Sequence, residues 1–167
     1  MLEIETDRLL LRPIMEIDAD VLYAGIFSDT EVTGPSHLPC TAETICIKRI
    51  AKKAKDEDAY YLSVILKQNH EPIGIICQEQ PLFHKCLEIG FALRRTQWHK
   101  GYGSEALKGL IEYLFRTEKA DRITCTCDAD NSYSMKTMQK CGMHIYGSIT
   151  TDAEYMTLME IRQPSRL

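Results

Sequence analysis

Hydrophobic and polar positions change their spacing several times along the chain, and each change marks an element. Leu9, Leu10 and Leu11 lie between Arg8 and Arg12 and are closed off by Pro13, which predicts a short strand. Val21, Leu22 and Ile26 suit a helix from Asp18 to Ser28. The turn-forming stretch Thr33-Gly-Pro-Ser-His-Leu-Pro39 ends that helix, and a second helical stretch is expected over 41–55. From Tyr60 the texture becomes short apolar runs, over 60–66, 73–82 and 87–93, separated by turn signals. Three strands with short connections predict an antiparallel meander.

The strongest helical signal covers Ser104 to Thr117. Leu107, Leu110, Ile111, Leu114 and Phe115 follow a period of about 3.6 residues, while Glu105, Lys108, Glu112 and Arg116 take the other face. Arg122 to Cys127 is the next strand, and an intervening helix makes it the parallel partner of the strand ending at Leu93. A helix from Asn131 to Cys141 follows, with Asn131 as N-cap and Gly142 just past its end. Strands over 143–149 and 154–161 close the chain around Thr150-Thr151-Asp152. The order predicts one α/β domain over 1–167, its central mixed, mostly antiparallel sheet flanked by helices.

Composition narrows the function classes. The 167 residues carry a formal charge of −4, which disfavours a nucleic-acid partner. No uncharged apolar run reaches the roughly 18 residues of a membrane span. Seven cysteines are an odd number, no secretory leader precedes Arg8, and no CxxC pair occurs. Reduced thiols in the cytoplasm are therefore expected, with no disulfide framework and no metal site.

Lys100-Gly-Tyr-Gly-Ser104 sits between a strand and the start of the strongest helix, where unpaired N–H groups and the positive helix end face an anion. Gly101 and Gly103 let a phosphate approach the backbone, and Lys100 adds charge. A tight turn of purely structural purpose uses the same residues. The Walker pattern is missing, since no Gly-Lys-Ser/Thr occurs. The GxGxxA of Gly101 to Ala106 approximates a dinucleotide fingerprint, but Arg94 to Lys100 separate it from its strand.

Four patterns in order, Glu5-Thr-Asp-Arg-Leu-Leu-Leu-Arg-Pro13, Glu88-Ile-Gly-Phe91, Trp98-His-Lys-Gly-Tyr-Gly-Ser-Glu-Ala106 and Asn131-Ser-Tyr-Ser134 leading to Lys140-Cys-Gly-Met143, cover nearly the whole chain. On these the sequence resembles the GNAT superfamily of N-acetyltransferases, and within it the branch of ribosomal-protein N-terminal (alanine) acetyltransferases. The resemblance implies the GNAT-like acyl-CoA N-acyltransferase fold and acetyl-CoA as co-substrate. The turn Trp98, His99, Lys100, Gly101, Tyr102, Gly103 and Ser104 would grip the coenzyme pyrophosphate. The strand with Ile89, Phe91 and Leu93 would splay from its neighbour and bind the pantetheine arm. Trp98 stands where the superfamily usually has Gln or Arg and is frequent in this branch. Arg94 and Arg95 would either reach the remaining phosphate or form a solvated loop.

Acetyl transfer to an amine needs a base for the ammonium and a proton donor for the departing thiolate. The tyrosine that many superfamily members use as donor corresponds to Met138 here. The resemblance instead assigns Ser134 to the sulfur and Asn131 to the pantetheine or leaving group, with helix capping as the competing role for both. Tyr133 is an alternative donor. Glu88 is the expected base, because alternation places Glu88, Gly90 and Ala92 on one strand face, with room for a ligand. Glu79, His84 or a water chain are reserves. Tyr23, Phe27 and the 33–39 loop fall where the fold forms one wall of the acceptor site. Cys141 has no His partner, so direct attack in a ternary complex is expected. The acceptor is a peptide N-terminal amine or a small amine, amino acid or antibiotic. A silent coenzyme-binding module is the reading of another class. A monomer or homodimer is expected.

Overall fold

The computed structural model describes residues 2–33, 60–78, 85–150 and 154–163. Among these residues eight strands form one sheet in the order β1-β2-β3-β4-β5-β6-β8-β7. They are β1 (Ile4–Glu5), β2 (Leu9–Pro13), β3 (Tyr60–Leu66), β4 (Pro72–Gln78), β5 (Cys86–Leu93), β6 (Arg122–Asp128), β7 (His144–Thr150) and β8 (Tyr155–Arg162). Every pairing is antiparallel except β5 with β6, the crossover spanned by the long helix. The mixed, mostly antiparallel α/β sandwich expected from the sequence is what forms.

The differences are local. The two-residue strand β1 is too short for any period and exists because Ile4 and Glu5 pair with Leu11 and Leu10. The helix expected over 18–28 consists of a 3₁₀ turn Glu16–Asp18, α1 (Ala19–Leu22) and a π turn Tyr23–Phe27. A short helix α2 (Thr30–Thr33) follows. The helix over 41–55 and the end of the strand expected over 73–82 lie outside the described residues.

Helix α3 (Tyr102–Arg116) begins two residues earlier than its apolar period, because Gly101 takes the left-handed N-cap position. Leu107, Leu110 and Leu114 are fully buried under one face of the sheet, together with Leu9, Leu11, Ile73, Ile89 and Ile123. Each such side chain contributes about 1.5–3 kcal/mol of hydrophobic stabilisation. Helix α4 (Ser132–Lys140) packs on α3 and sends Met138 into the same core. Opposite, Leu22, Ile26, Phe27 and Val32 join Ile75, Cys77 and Ala92 in a second core. Beneath it Asp18 is buried against Arg12, which donates both terminal nitrogens at 2.7 Å, and Ser63, which donates at 2.7 Å. Among the described residues no helix is long and apolar enough to cross a membrane.

Candidate active site

The site begins where two strands part. Strands β5 and β6 pair only at Cys86 with Arg122, Leu87 with Ile123 and Glu88 with Thr124. Beyond that point β5 stays with β4 up to Leu93, and β6 stays with β8 up to Asp128. The sheet therefore opens into a V whose inner edge is the side of residues 89–92 that faces away from β4 and has lost its β6 partner. Peptide groups on such an edge are suited to an extended, amide-bearing ligand.

A cavity of about 310 Å³ lies in this opening. Phe91, Ala92 and Leu93 form one side, Asn131 to Ser134 the other, and Trp98 one end. Trp98 is locked there: its Nε1 donates to the Leu93 carbonyl at 2.8 Å, and its ring stacks on Tyr133 with centroids 5.1 Å apart. Asn131 caps α4 by accepting from the Ser134 N–H at 3.0 Å. The Ser134 side chain, half-buried, faces the cavity.

The glycine turn adjoins this cavity. Gly101 has φ of +82°, a conformation that costs any residue with a Cβ about 1–2 kcal/mol, and His99 has φ of +62°. The first α3 hydrogen bond runs from the Glu105 N–H to the Gly101 carbonyl, so the N–H groups of Tyr102, Gly103 and Ser104 have no partner within the helix. Gly103 and Ser104 border a second cavity of about 240 Å³, lined also by His99, Gly101, Ser132, Tyr133, Lys136, Thr137 and Lys140. Ser104 itself donates its hydroxyl back to the Gly101 carbonyl at 3.0 Å.

Several expected residues sit apart from both cavities. Glu88 lies at the closed end of the V, half-buried, and its Oε1 accepts from the Thr126 hydroxyl at 3.0 Å. It does not line the cavity that Ser134 faces. Lys100 donates to Gln97 and lines neither cavity, and Tyr102 lies under the Arg8 guanidinium, 4.5 Å from its ring centroid. Arg94 is ion-paired with Glu71, and Arg95 pairs with Asp29 at 3.2 Å, so neither is a loose phosphate arm. Burial raises the Tyr133 phenol above its usual range, and its hydroxyl is taken up by the His99 backbone and the Thr137 side chain. The Tyr133 hydroxyl is thereby engaged at the glycine turn, while the residue itself lines both cavities. Met138 is fully buried in the core and offers no hydroxyl. Burial pushes the Cys141 thiol up to about 11, unsuited to a nucleophile. Glu79, His84 and residues 34–39 lie outside the described residues. Tyr23 and Phe27 pack into the second core.

Sequence reasoning missed three groups at the site. Arg8 reaches the turn from β2's edge and donates to the Lys100 carbonyl at 3.1 Å. Glu31, Asp128 and Asp130 bring carboxylates to the larger cavity. Lys136 and Lys140, spaced one helical turn apart, were legible only once α4 was placed against the glycine turn.

Residues 8–144 match the family model described as an acetyltransferase (GNAT) domain. An N-acetyltransferase of undetermined role from Bacillus licheniformis, p20, is 35% identical over 140 residues, which are 78% of this chain and 76% of that protein. A GNAT-family acetyltransferase structure from Bacillus anthracis superimposes with a TM-score of 0.84 at 26% identity, covering 96% of this chain and 98% of that one. The ribosomal L7/L12 alpha-N-protein acetyltransferase in complex with coenzyme A shares the fold at 16% identity, with a TM-score of 0.82 over 96% of this chain and 98% of that one.

Proposed function

This chain belongs to the GNAT acetyltransferase family and is an N-acetyltransferase; we propose that it uses acetyl-CoA to acetylate a primary amine, a peptide N-terminal amine in the first instance. The observation that carries the reading is the V between β5 and β6 leading to an α3 N-terminus with three unpaired N–H groups. An extended arm laid along residues 89–93 would end its pyrophosphate at Gly101 to Ser104 and its thioester near Ser134.

In the proposed reaction the deprotonated amine attacks the thioester carbonyl directly, and the C–S bond breaks as the tetrahedral intermediate collapses. The proton that the amine nitrogen sheds on becoming an amide passes to the departing sulfur, to which Ser134 donates a hydrogen bond, and Asn131 holds the α4 N-terminus that presents Ser134. Glu88 takes the ammonium proton; because it lies behind the cavity lining, the proton travels through the Thr126 hydroxyl or a short water chain. Fixed donors aimed at developing charge supply most of the stabilisation such a site can give. Glu31, Asp128 and Asp130 favour a cationic acceptor.

Those carboxylates and the modest cavity also support a second acceptor class, a small amine. Acetyl-CoA turnover over a panel of small amines and of peptides beginning with Ala, Ser or Met, read by mass spectrometry, separates the two. Acetylation of peptide N-termini supports the first; modification of small amines alone replaces it. No turnover with any amine, and no binding of coenzyme A, would sink the reading.

A further inference from the structure

We propose that Lys136 and Lys140 are a phosphate clamp that pairs with the pyrophosphate of the acyl donor, so that the enzyme selects nucleotide-bearing thioesters over acyl groups carried on a bare pantetheine or cysteamine arm. The inference rests on the acetyl-CoA reading and assigns the donor specificity of that site to residues outside the glycine turn.

Ser132, Tyr133, Lys136, Thr137 and Lys140 recur at the spacing of one helix face, and all five line the smaller cavity opposite Gly101, Gly103 and Ser104. The two helices touch there: a Cβ on Gly103 would lie 3.3 Å from Thr137 Cγ2. Two ammonium groups on stems about 5–6 Å apart at their Cβ atoms thus share a small space with the α3 N-terminus. Among the described residues neither lysine pairs with a carboxylate, although eight other lysine and arginine side chains do.

Charge decides the direction. A helix N-terminus presents only about half a positive charge. A pyrophosphate brings two negative ones, and two lysines close the balance. The chain as a whole is anionic at −4, so attraction for an anion must be local. Ser132 and Tyr133 form a wall common to both cavities; beyond it stand Glu31, Asp128 and Asp130, which repel a phosphate. This polarity admits an acyl donor one way round.

Calorimetric titration of the wild type and the Lys136→Gln/Lys140→Gln double variant with coenzyme A, 3′-dephospho-coenzyme A and pantetheine tests the clamp. Both lysines are exposed, so the variant keeps its fold, which the thermal midpoint verifies. The clamp predicts about tenfold weaker binding of both nucleotides, an unchanged response to pantetheine and a shallower salt dependence in the variant. Equal affinity of variant and wild type for both nucleotides overturns it. A loss confined to coenzyme A places the lysines on the 3′-phosphate and overturns the pyrophosphate pairing. A wild type that binds neither nucleotide sinks the acetyl-CoA reading, and the clamp with it.

Discussion

The main-chain N–H of Arg8 donates to Glu105 Oε1 at 2.8 Å while its Nε donates to Oε2 at 2.6 Å, so one carboxylate on α3 fixes both ends of one residue at the start of β2. The remaining guanidinium nitrogens reach the Lys100 carbonyl and the Tyr102 ring. Burial pushes the Glu105 carboxyl up, but the Thr6 hydroxyl and the Arg8 N–H and guanidinium overcome it and hold the carboxyl below its usual range. Arg8 is therefore a positioning residue for the glycine turn, since it ties residues 100–102 to the sheet without lining the cavity.

Replacing Arg8 by Ala is expected to raise the KM for acetyl-CoA about fivefold and leave kcat nearly unchanged, which is roughly the 1 kcal/mol a half-exposed ion pair contributes. Arg8→Lys keeps the charge but cannot span the carboxylate and the Lys100 carbonyl together. Steady-state kinetics of both variants check this. Full rescue by Lys would show that charge alone mattered and that the brace is incidental.

Gly101 is the backbone counterpart of that brace. Gly101→Ala forces a Cβ into φ of +82° and places it 3.4 Å from Arg8 Nη2. A stability loss of about 1–2 kcal/mol is expected. Coenzyme A affinity should fall with it, because relaxing the strain re-aims the Tyr102, Gly103 and Ser104 N–H groups. A variant with lowered thermal midpoint but unaltered coenzyme A binding would separate the turn's structural role from the ligand.

Glu88→Gln keeps an oxygen for the Thr126 hydroxyl, so its fold should persist. Loss of a general base predicts a kcat lower by about 100-fold or more, with coenzyme A binding intact. Ser134→Ala leaves the Asn131 cap in place, because that cap uses the Ser134 main-chain N–H, and should lower kcat about tenfold. Single-turnover rates for each variant are the measurement. If Glu88→Gln reacts at the wild-type rate, the base is one of the carboxylates at the cavity, and Asp128→Asn is the next variant to make.

The architecture was legible because its signals are periodic. Leu107, Leu110 and Leu114 announce α3 at one spacing, and the intervening helix alone makes β5 and β6 parallel. Asn131 declares its cap by residue type and position. The site was less legible, because its contacts join residues far apart in the chain. Lys100 precedes the turn and reads as its cation, yet its ammonium goes to Gln97, while Lys136 and Lys140 arrive from the next helix. Arg94 and Arg95 read as either phosphate arms or a solvated loop, and they are held instead by Glu71 and Asp29, partners no spacing rule connects. Tyr133 reads as a spare acid, but stacking on Trp98 fixes its ring and turns its hydroxyl elsewhere.

Acid should act on the fold through Asp18. Burial alone would push its carboxyl up, but hydrogen bonds from Arg12, the Met15 N–H and the Ser63 hydroxyl outweigh that and leave it below the usual carboxylate range. A carboxylate whose folded pKa is depressed binds its proton more readily in the unfolded chain. Its stabilising contribution is therefore fully present above the unfolded value near 3.8 and is lost as pH falls through the lower, folded value. Glu105 adds to the same slope from an unfolded value near 4.5. Denaturant titrations across this acid range should show stability falling steeply below about pH 4.5 in the wild type. Asp18→Asn removes the titrating group and strands Arg12, which is mostly buried, at a cost of about 3–5 kcal/mol at neutral pH. The variant should be less stable throughout and lose less on acidification. If wild type and variant lose stability in parallel, Asp18 does not govern the acid transition.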